Sequence, residues 1–257
     1  MGPIYHQEKG TGHPLVLIHG FCETHEIWDR FADNLSDTFN VLLPDLPGYG
    51  SSPLPTTSFS LQDIGSGMLL WLDSLDVDSP VVIGHSLGGY IAMAMVELQP
   101  ARFPGFGLFH STAYADSGEK KENRNKVIDF VRRNGVQPFI DTFVPGLFYQ
   151  KGNPHEAEMH QIASRTPVDT LVAYAAAMRD RPARLTLLEN FPKPILMIAG
   201  EHDATIPYEQ SSAQSSLMKF PLFYGLKDVG HMGMFENEPK SIKIVKDFTN
   251  FALGFGT

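Results

Sequence analysis

The 257-residue chain is 42% hydrophobic and 19% charged, enough core-forming material for one large α/β domain with an insertion or for two small domains. A formal net charge of −9 argues against a nucleic-acid partner, because phosphates demand clustered Lys and Arg. The only cysteine, Cys22, precludes an internal disulfide and fits a reducing compartment; with no signal-peptide stretch and no membrane-spanning run, the expected location is the cytoplasm.

Short β-type runs alternate with helical stretches along the chain. A strand at 15–18 stops at His19-Gly20, a helix is expected at 28–35, and a strand at 40–44 ends at Asp45. A helix at 61–75 precedes a strand at 81–83, which runs into Gly84-His85-Ser86-Leu87-Gly88-Gly89 and a helix at 90–98 closed by Pro100. Further strands are expected at 106–109, 195–199 and 222–224, and a last helix at 236–253. Continuous apolar strands separated by helices describe an α/β fold, a mostly parallel sheet covered on both faces, with reactive loops at the carboxyl ends of the strands. The interval 113–190 offers only helical material, at 120–133, 137–148, 155–165 and 168–179. A structureless connection of that length would be uncommon. It reads as a helical cap inserted into a core made of 1–112 and 191–257.

The segment after the 81–83 strand carries the most chemistry. A strand that stops at a serine and turns straight into a helix forces that serine into a sparsely populated backbone region. Gly84 and Gly88 let strand and helix meet, and Ser86 is pushed clear of the backbone beside free helix N–H groups. The pattern G-x-S-x-G is only moderately specific by itself; the strand before it and the apolar helix after it carry the inference.

A serine hydroxyl needs a base within reach, usually a histidine oriented by a carboxylate. Of ten histidines, His231 stands out: it follows the last strand, Gly230 and Gly233 flank it, and the last helix follows. The loop after 195–199 offers Gly200-Glu201-His202-Asp203, with Asp203 the preferred acid and Glu201 the fallback. The resulting order is Ser, Asp, His, unlike the chymotrypsin and subtilisin orders.

Taken together, these motifs resemble the α/β-hydrolase superfamily, in particular its single-domain serine esterase, lactonase and C–C hydrolase group with a helical cap. The resemblance covers almost the whole chain: His19-Gly20-Phe21, Asp45-Leu46-Pro47-Gly48-Tyr49-Gly50-Ser51-Ser52, the serine turn, Gly200-Glu201-His202-Asp203 and Gly230-His231. It implies the α/β-hydrolase fold, an oxyanion hole from the backbone N–H groups of Phe21 and Leu87, and catalysis without a cofactor. The expected activity is cleavage of a small, largely apolar carboxylic ester or lactone through an acyl-enzyme on Ser86, His231 and Asp203. C–C bond hydrolysis, perhydrolysis and slow-turnover ligand sensing are alternatives on the same residues. Dehalogenases and epoxide hydrolases of the superfamily are disfavoured, since they carry aspartate at the Ser86 position.

Plainer readings fit other residues better. Asp45 sits ahead of a Pro-Gly turn and is expected to serve it. Asp228 is expected to brace its loop, and Cys22 to be a small buried side chain. The basic stretch at 119–126 is interrupted by glutamates and reads as a solvated helix face. His155 and His160 lie five apart, about 140° out of line on a helix, so no metal site is expected. Trp28, Phe143, Phe148 and Met232 are candidate pocket residues for a small-molecule substrate; Phe139, Tyr149 and Tyr174 read first as cap packing.

Overall fold

The computed structural model describes residues 2–255. Strands β1 (His6–Lys9), β2 (His13–Ile18), β3 (Phe39–Pro44), β4 (Val81–His85), β5 (Phe106–Phe109), β6 (Ile195–Gly200) and β7 (Pro221–Leu226) form one sheet. Its spatial order is β1-β3-β2-β4-β5-β6-β7. Only β1 runs antiparallel, against β3; the other pairs are parallel. All six anticipated strands are present. The unanticipated one, β1, is short and incompletely buried, and an edge strand with no core face leaves little hydrophobic pattern to read.

Helices α1 (Asp29–Leu35), α2 (Leu61–Ser74) and α3 (Leu87–Leu98) alternate with the first strands. Between β5 and β6 come α4 (Gly118–Asn134), α5 (Gln137–Phe143), a 3-10 turn at Val144–Leu147, α6 (Glu156–Ser164), α7 (Val168–Arg179) and α8 (Leu185–Asn190). After β6 follow α9 (Tyr208–Ser215), the short α10 (Gly233–Glu236) and α11 (Glu238–Gly254). The stretch expected as one helix at 137–148 divides after Phe143, where Pro145 enters a tight 3-10 turn. Helix α8, six residues long with one fully buried side chain, was not anticipated. In the core, α2 packs on α3 and α1 on α11. No helix among the described residues is long and apolar enough to cross a membrane.

Chain direction places the reactive end. From β2 the chain moves outward to β3, then returns to lay β4 on the other side of β2. The loops after β2 and β4 therefore diverge at the switch point where open α/β sheets bind ligands. Register brings their ends level, with Ile18 opposite Gly84. The turn from β4 into α3 is tight: a Cβ on Gly84 would collide with the backbone of Gly88, and one on Gly88 with the carbonyls of Ile18 and His19. Ser86 between them adopts φ 49°, ψ −112°, a conformation costing about 1–3 kcal/mol that persists only where its surroundings over-determine it. They do. Ser86 N–H donates to Phe109 O at 2.9 Å, and Ser86 O accepts from Ser111 Oγ at 2.7 Å.

A buried ion pair locks the two loops together. Glu23 and His85 are almost fully buried, with Glu23 Oε2 2.9 Å from His85 Nδ1. The same oxygen accepts the Gly20 N–H. On its other side His85 Nε2 donates to His231 O at 2.9 Å. Both ring nitrogens thus face acceptors, the arrangement of an imidazolium. Burial opposes charging of the ring, but Glu23 and the carbonyl outweigh it and raise the His85 pKa. Burial likewise opposes ionisation of Glu23, and His85 outweighs it and lowers the Glu23 pKa.

Gly88→Ala is expected to destabilise the fold by about 3 kcal/mol, because rigid backbone carbonyls must move to admit the methyl. Gly146→Ala, where a Cβ would meet nothing within 4 Å, should stay within about 0.5 kcal/mol of the native chain. Urea denaturation midpoints measure both. Glu23→Gln should cost about 3–5 kcal/mol by leaving a buried cation uncompensated. The raised His85 pKa gives a stabilisation that is full below about pH 6.5 and lost as pH rises through the folded-state value. The lowered Glu23 pKa gives one that is full above about pH 4.3 and lost as pH falls through its folded-state value. The stability gap between the native chain and Glu23→Gln should therefore peak between those limits and narrow on either side.

Candidate active site

Asp203 is the hub of the site. It lies on the loop after β6, and its buried carboxylate accepts four hydrogen bonds. Oδ1 takes Thr205 N–H at 2.8 Å and Ile206 N–H at 2.9 Å. Oδ2 takes His231 Nδ1 at 2.7 Å and His110 Nδ1 at 3.1 Å. Burial alone would raise its pKa, but the His231 ring, the His110 hydrogen bond and the His231 hydrogen bond together hold it well below the usual carboxylate range. The alternative acid, Glu201, is exposed.

His110 did not emerge from the sequence as a member of this cluster. It stands immediately after β5, at φ 48°, fully buried. Burial drives its pKa down to about 4, against the pull of Asp203. Its Nε2 has no hydrogen-bond partner and lies against Gly233. A second proton would have no acceptor, so the ring stays neutral, its Nδ1 shared between Asp203 Oδ2 and the Gly200 N–H, which points to it at 3.2 Å. Its position at a strand's carboxyl end, between the strands carrying Ser86 and Asp203, was the available signal.

His231 is held from several sides. Its N–H donates to Leu147 O at 2.7 Å, and its carbonyl receives His85 as described. Glu236 accepts from Gly230 N–H at 2.9 Å, Met232 N–H at 3.2 Å and Tyr149 N–H at 2.7 Å, bracing both the His231 loop and the helical segment opposite. The rings of His231 and His85 lie 4.9 Å apart, those of His231 and His110 5.8 Å. With Nδ1 committed to Asp203, Nε2 of His231 is the nitrogen available to a reacting group.

Ser86 completes the cluster at the start of α3, 9% exposed against 3% for His231. Among the described residues no hydrogen bond joins Ser86 Oγ to the His231 ring; His85, its chain neighbour, supplies the link between the two loops. On the β2 side the Gly20 N–H is spent on Glu23. The N–H groups of Phe21 and Leu87 are not consumed by their loops' own hydrogen bonds, and Leu87 opens α3, where intrahelical acceptors are lacking.

The pocket candidates separate by location. Phe143 meets Phe21 edge-on at 6.0 Å and stacks on Phe139 at 5.0 Å, above the β2 loop. Phe148 lies beside Phe235, 6.5 Å away, and Met232 is fully buried. Trp28 is packed beneath the site, with Phe31 at 5.1 Å and Phe109 at 5.5 Å. Asp45 serves its turn, accepting His25 N–H at 3.0 Å, His25 Nδ1 at 2.8 Å and Ser51 N–H at 2.9 Å. Cys22 is fully buried, which pushes its thiol pKa up. His155 bonds Glu158 and His160 bonds Asp141, so the two rings serve different partners.

Ligand atoms of His110, Asp203 and His231 lie within 4.8 Å of one another, the one grouping among the described residues with metal-ligand chemistry. Its spacings are those of hydrogen bonds. Both Nδ1 atoms lie within hydrogen-bond reach of the same carboxylate oxygen, and any Nδ1 proton would have to leave before a metal could bind. The arrangement suits an oriented, proton-accepting imidazole close to a serine hydroxyl held on a strained turn.

Comparison with known proteins agrees with this architecture. Residues 15–241 match the model of the alpha/beta hydrolase family. Lipase 3 of Moraxella sp. (strain TA144) is 25% identical over 259 residues, covering 93% of this chain and 76% of that protein. An uncharacterized protein of Mycobacterium tuberculosis, Rv2715, is 37% identical over 84 residues, 33% of this chain and only 25% of its own length. A thermophilic esterase from Thermogutta terrifontis superposes with a TM-score of 0.92 at 27% identity, covering 97% of this chain and 93% of that one. The chain belongs to the alpha/beta hydrolase family and is a hydrolase.

Proposed function

We propose that the protein is a cofactor-independent serine hydrolase that cleaves a small, largely apolar carboxylic ester or lactone. The observation that carries this reading is a strained Ser86, φ 49° and ψ −112°, beside a His231–Asp203 pair joined at 2.7 Å. The similarity to an esterase and a lipase supports it.

In this reading Ser86 Oγ attacks the substrate carbonyl while His231 Nε2 takes its proton. The tetrahedral oxygen is held by Phe21 and Leu87 N–H, preorganised donors of which each is worth on the order of 3 kcal/mol of barrier. Collapse breaks the bond to the leaving oxygen, which receives the proton from His231. Water, deprotonated by the same ring, then attacks the acyl-enzyme and frees the acid and Ser86. Asp203 keeps Nδ1 protonated and stabilises the imidazolium. His110, neutral and within hydrogen-bond reach of the same carboxylate, positions Asp203 without adding charge. The helices of 113–190 form the lid over a body of 1–112 and 191–257, with Phe143 and Phe148 facing the substrate from the lid, Met232 from the body and Trp28 from below. The substrate is a small molecule. The lone, buried cysteine fits a cytoplasmic setting.

Ser86→Ala should abolish both turnover of 4-nitrophenyl butyrate and labelling by a fluorophosphonate. Asp203→Asn should keep the fold yet lower kcat by roughly four orders of magnitude. Labelling that survives in Ser86→Ala would move the nucleophile elsewhere. Tight ligand binding with near-zero turnover in the native chain would favour ligand sensing.

A further inference from the structure

A cavity of about 220 Å³ borders the candidate site, walled by Tyr90, Lys120, Asn123, Arg124, Thr205 and Ile206. Thr205 and Ile206 are the residues whose N–H groups hold Asp203. Tyr90 lies one turn along α3 from Ser86, a rise of about 6 Å. Lys120 and Arg124 come from α4, one turn apart on the same face of that helix.

The wall is rich in donors and poor in acceptors. Its one carboxylate, Asp116, is buried and already engaged by Arg124 Nε at 3.1 Å and Arg181 Nη1 at 2.8 Å. Arg124 and Arg181 thus share Asp116, and Lys120 makes no hydrogen bond to a carboxylate among the described residues. Lys120 is partly buried and its ammonium donates to Thr205 O at 3.2 Å, which leaves two of its three protons for another acceptor. Burial lowers its pKa against the pull of Asp116, and the Asp203 carboxylate is within electrostatic reach. Arg181, stacked 4.0 Å over the Tyr90 ring, adds positive potential behind the wall. An anion entering this cavity meets unspent N–H donors and a desolvated ammonium, where charge-assisted hydrogen bonds are strongest.

We infer that the cavity binds a carboxylate carried by the substrate, so that the preferred substrates are half-esters or lactones whose free carboxylate lies a short methylene chain from the reacting carbonyl. This rests on the serine hydrolase reading and narrows it. The chain between the two groups is apolar; its far end is an anion held by Lys120 and Arg124.

The test compares mono(4-nitrophenyl) adipate with the neutral 4-nitrophenyl hexanoate. The native chain should prefer the charged ester in kcat/KM by at least about tenfold, the scale of one hydrogen bond to a charged group. Added salt should erode that preference. Lys120→Met, and the milder Lys120→Gln, should each lower the ratio of the two kcat/KM values by about tenfold, chiefly through KM. Using the ratio removes any general loss of folded enzyme. No preference in the native chain, or one that both variants leave within about twofold, overturns the inference. If the neutral ester is cleaved by the native chain and not by Ser86→Ala, the hydrolase reading stands whatever the charged ester does. If neither ester is cleaved, titration calorimetry with glutarate decides: binding that Lys120→Met abolishes supports the anion site, and absence of binding in the native chain overturns it.

Discussion

The site depends on how closely the backbone at the end of β2 approaches the first turn of α3. Gly88 sits against the carbonyls of Ile18 and His19, and Gly84 against Gly88 itself. No side chain fits in either space. Because these contacts are backbone on backbone, they cannot relax by a rotamer change, and the turn between them has little freedom. Ser86 is strained as a result, and the strain is borne by the hydrogen bonds that its N–H donates to Phe109 O and its carbonyl accepts from Ser111 Oγ. The strained serine and the tight start of α3 are thus two consequences of one packing contact.

Charge is distributed around this turn by burial. Two histidines flank His231, and the fold assigns them opposite states. His85 faces a carboxylate and a carbonyl and is held protonated; His110 shares Asp203 and has no partner on its other nitrogen, so it is held neutral. Asp203 consequently sees a neutral ring in His110 beside the ring of His231. A cation at position 110 would compete with His231 for that carboxylate. The Glu23–His85 pair supplies a fixed cation whose charge is matched locally, and its second hydrogen bond reaches the His231 carbonyl rather than its ring. Position is transmitted this way with little net charge.

What could be read from the sequence was local. The serine turn declares itself because Gly84, Ser86 and Gly88 are close in sequence and flanked by a strand and a helix of unmistakable pattern. Asp203 and His231 were legible as polar residues after strands, and the structure joins them; the choice of Asp203 over Glu201 follows the same outward step along the loop that leaves Glu201 in solvent. The partners that hold these residues were not legible. Glu23 and His85 are 62 positions apart, and no periodicity connects them. His85 occupies the variable position of G-x-S-x-G, where the motif places no demand. His110 directly follows the strand expected at 106–109, but nothing local reveals that β5 ends beside β6. Helix α8 and strand β1 were missed for a different reason: both are short, and neither presents a core-facing stripe long enough to read.

The coverage of Ser86 and His231 raises the question of how anything reaches them, and the seams around them differ in kind. The segment at 147–149 is tied to the His231 loop through Leu147 O and Glu236. Helix α7 is tied to the loop after β3 by Tyr174 Oη to Pro47 O and Thr170 Oγ1 to Gly48 O, both 2.9 Å and buried. Parting either seam strands buried polar groups, at about 1–3 kcal/mol for each one left unpaired. Over the β2 loop, α5 rests on Phe21 through the Phe139 and Phe143 rings. Ring contacts are weakly directional and leave no donor or acceptor behind when they separate. Of the three seams, the aromatic one opens at the least cost, and it lies over the Phe21 ring at the end of β2.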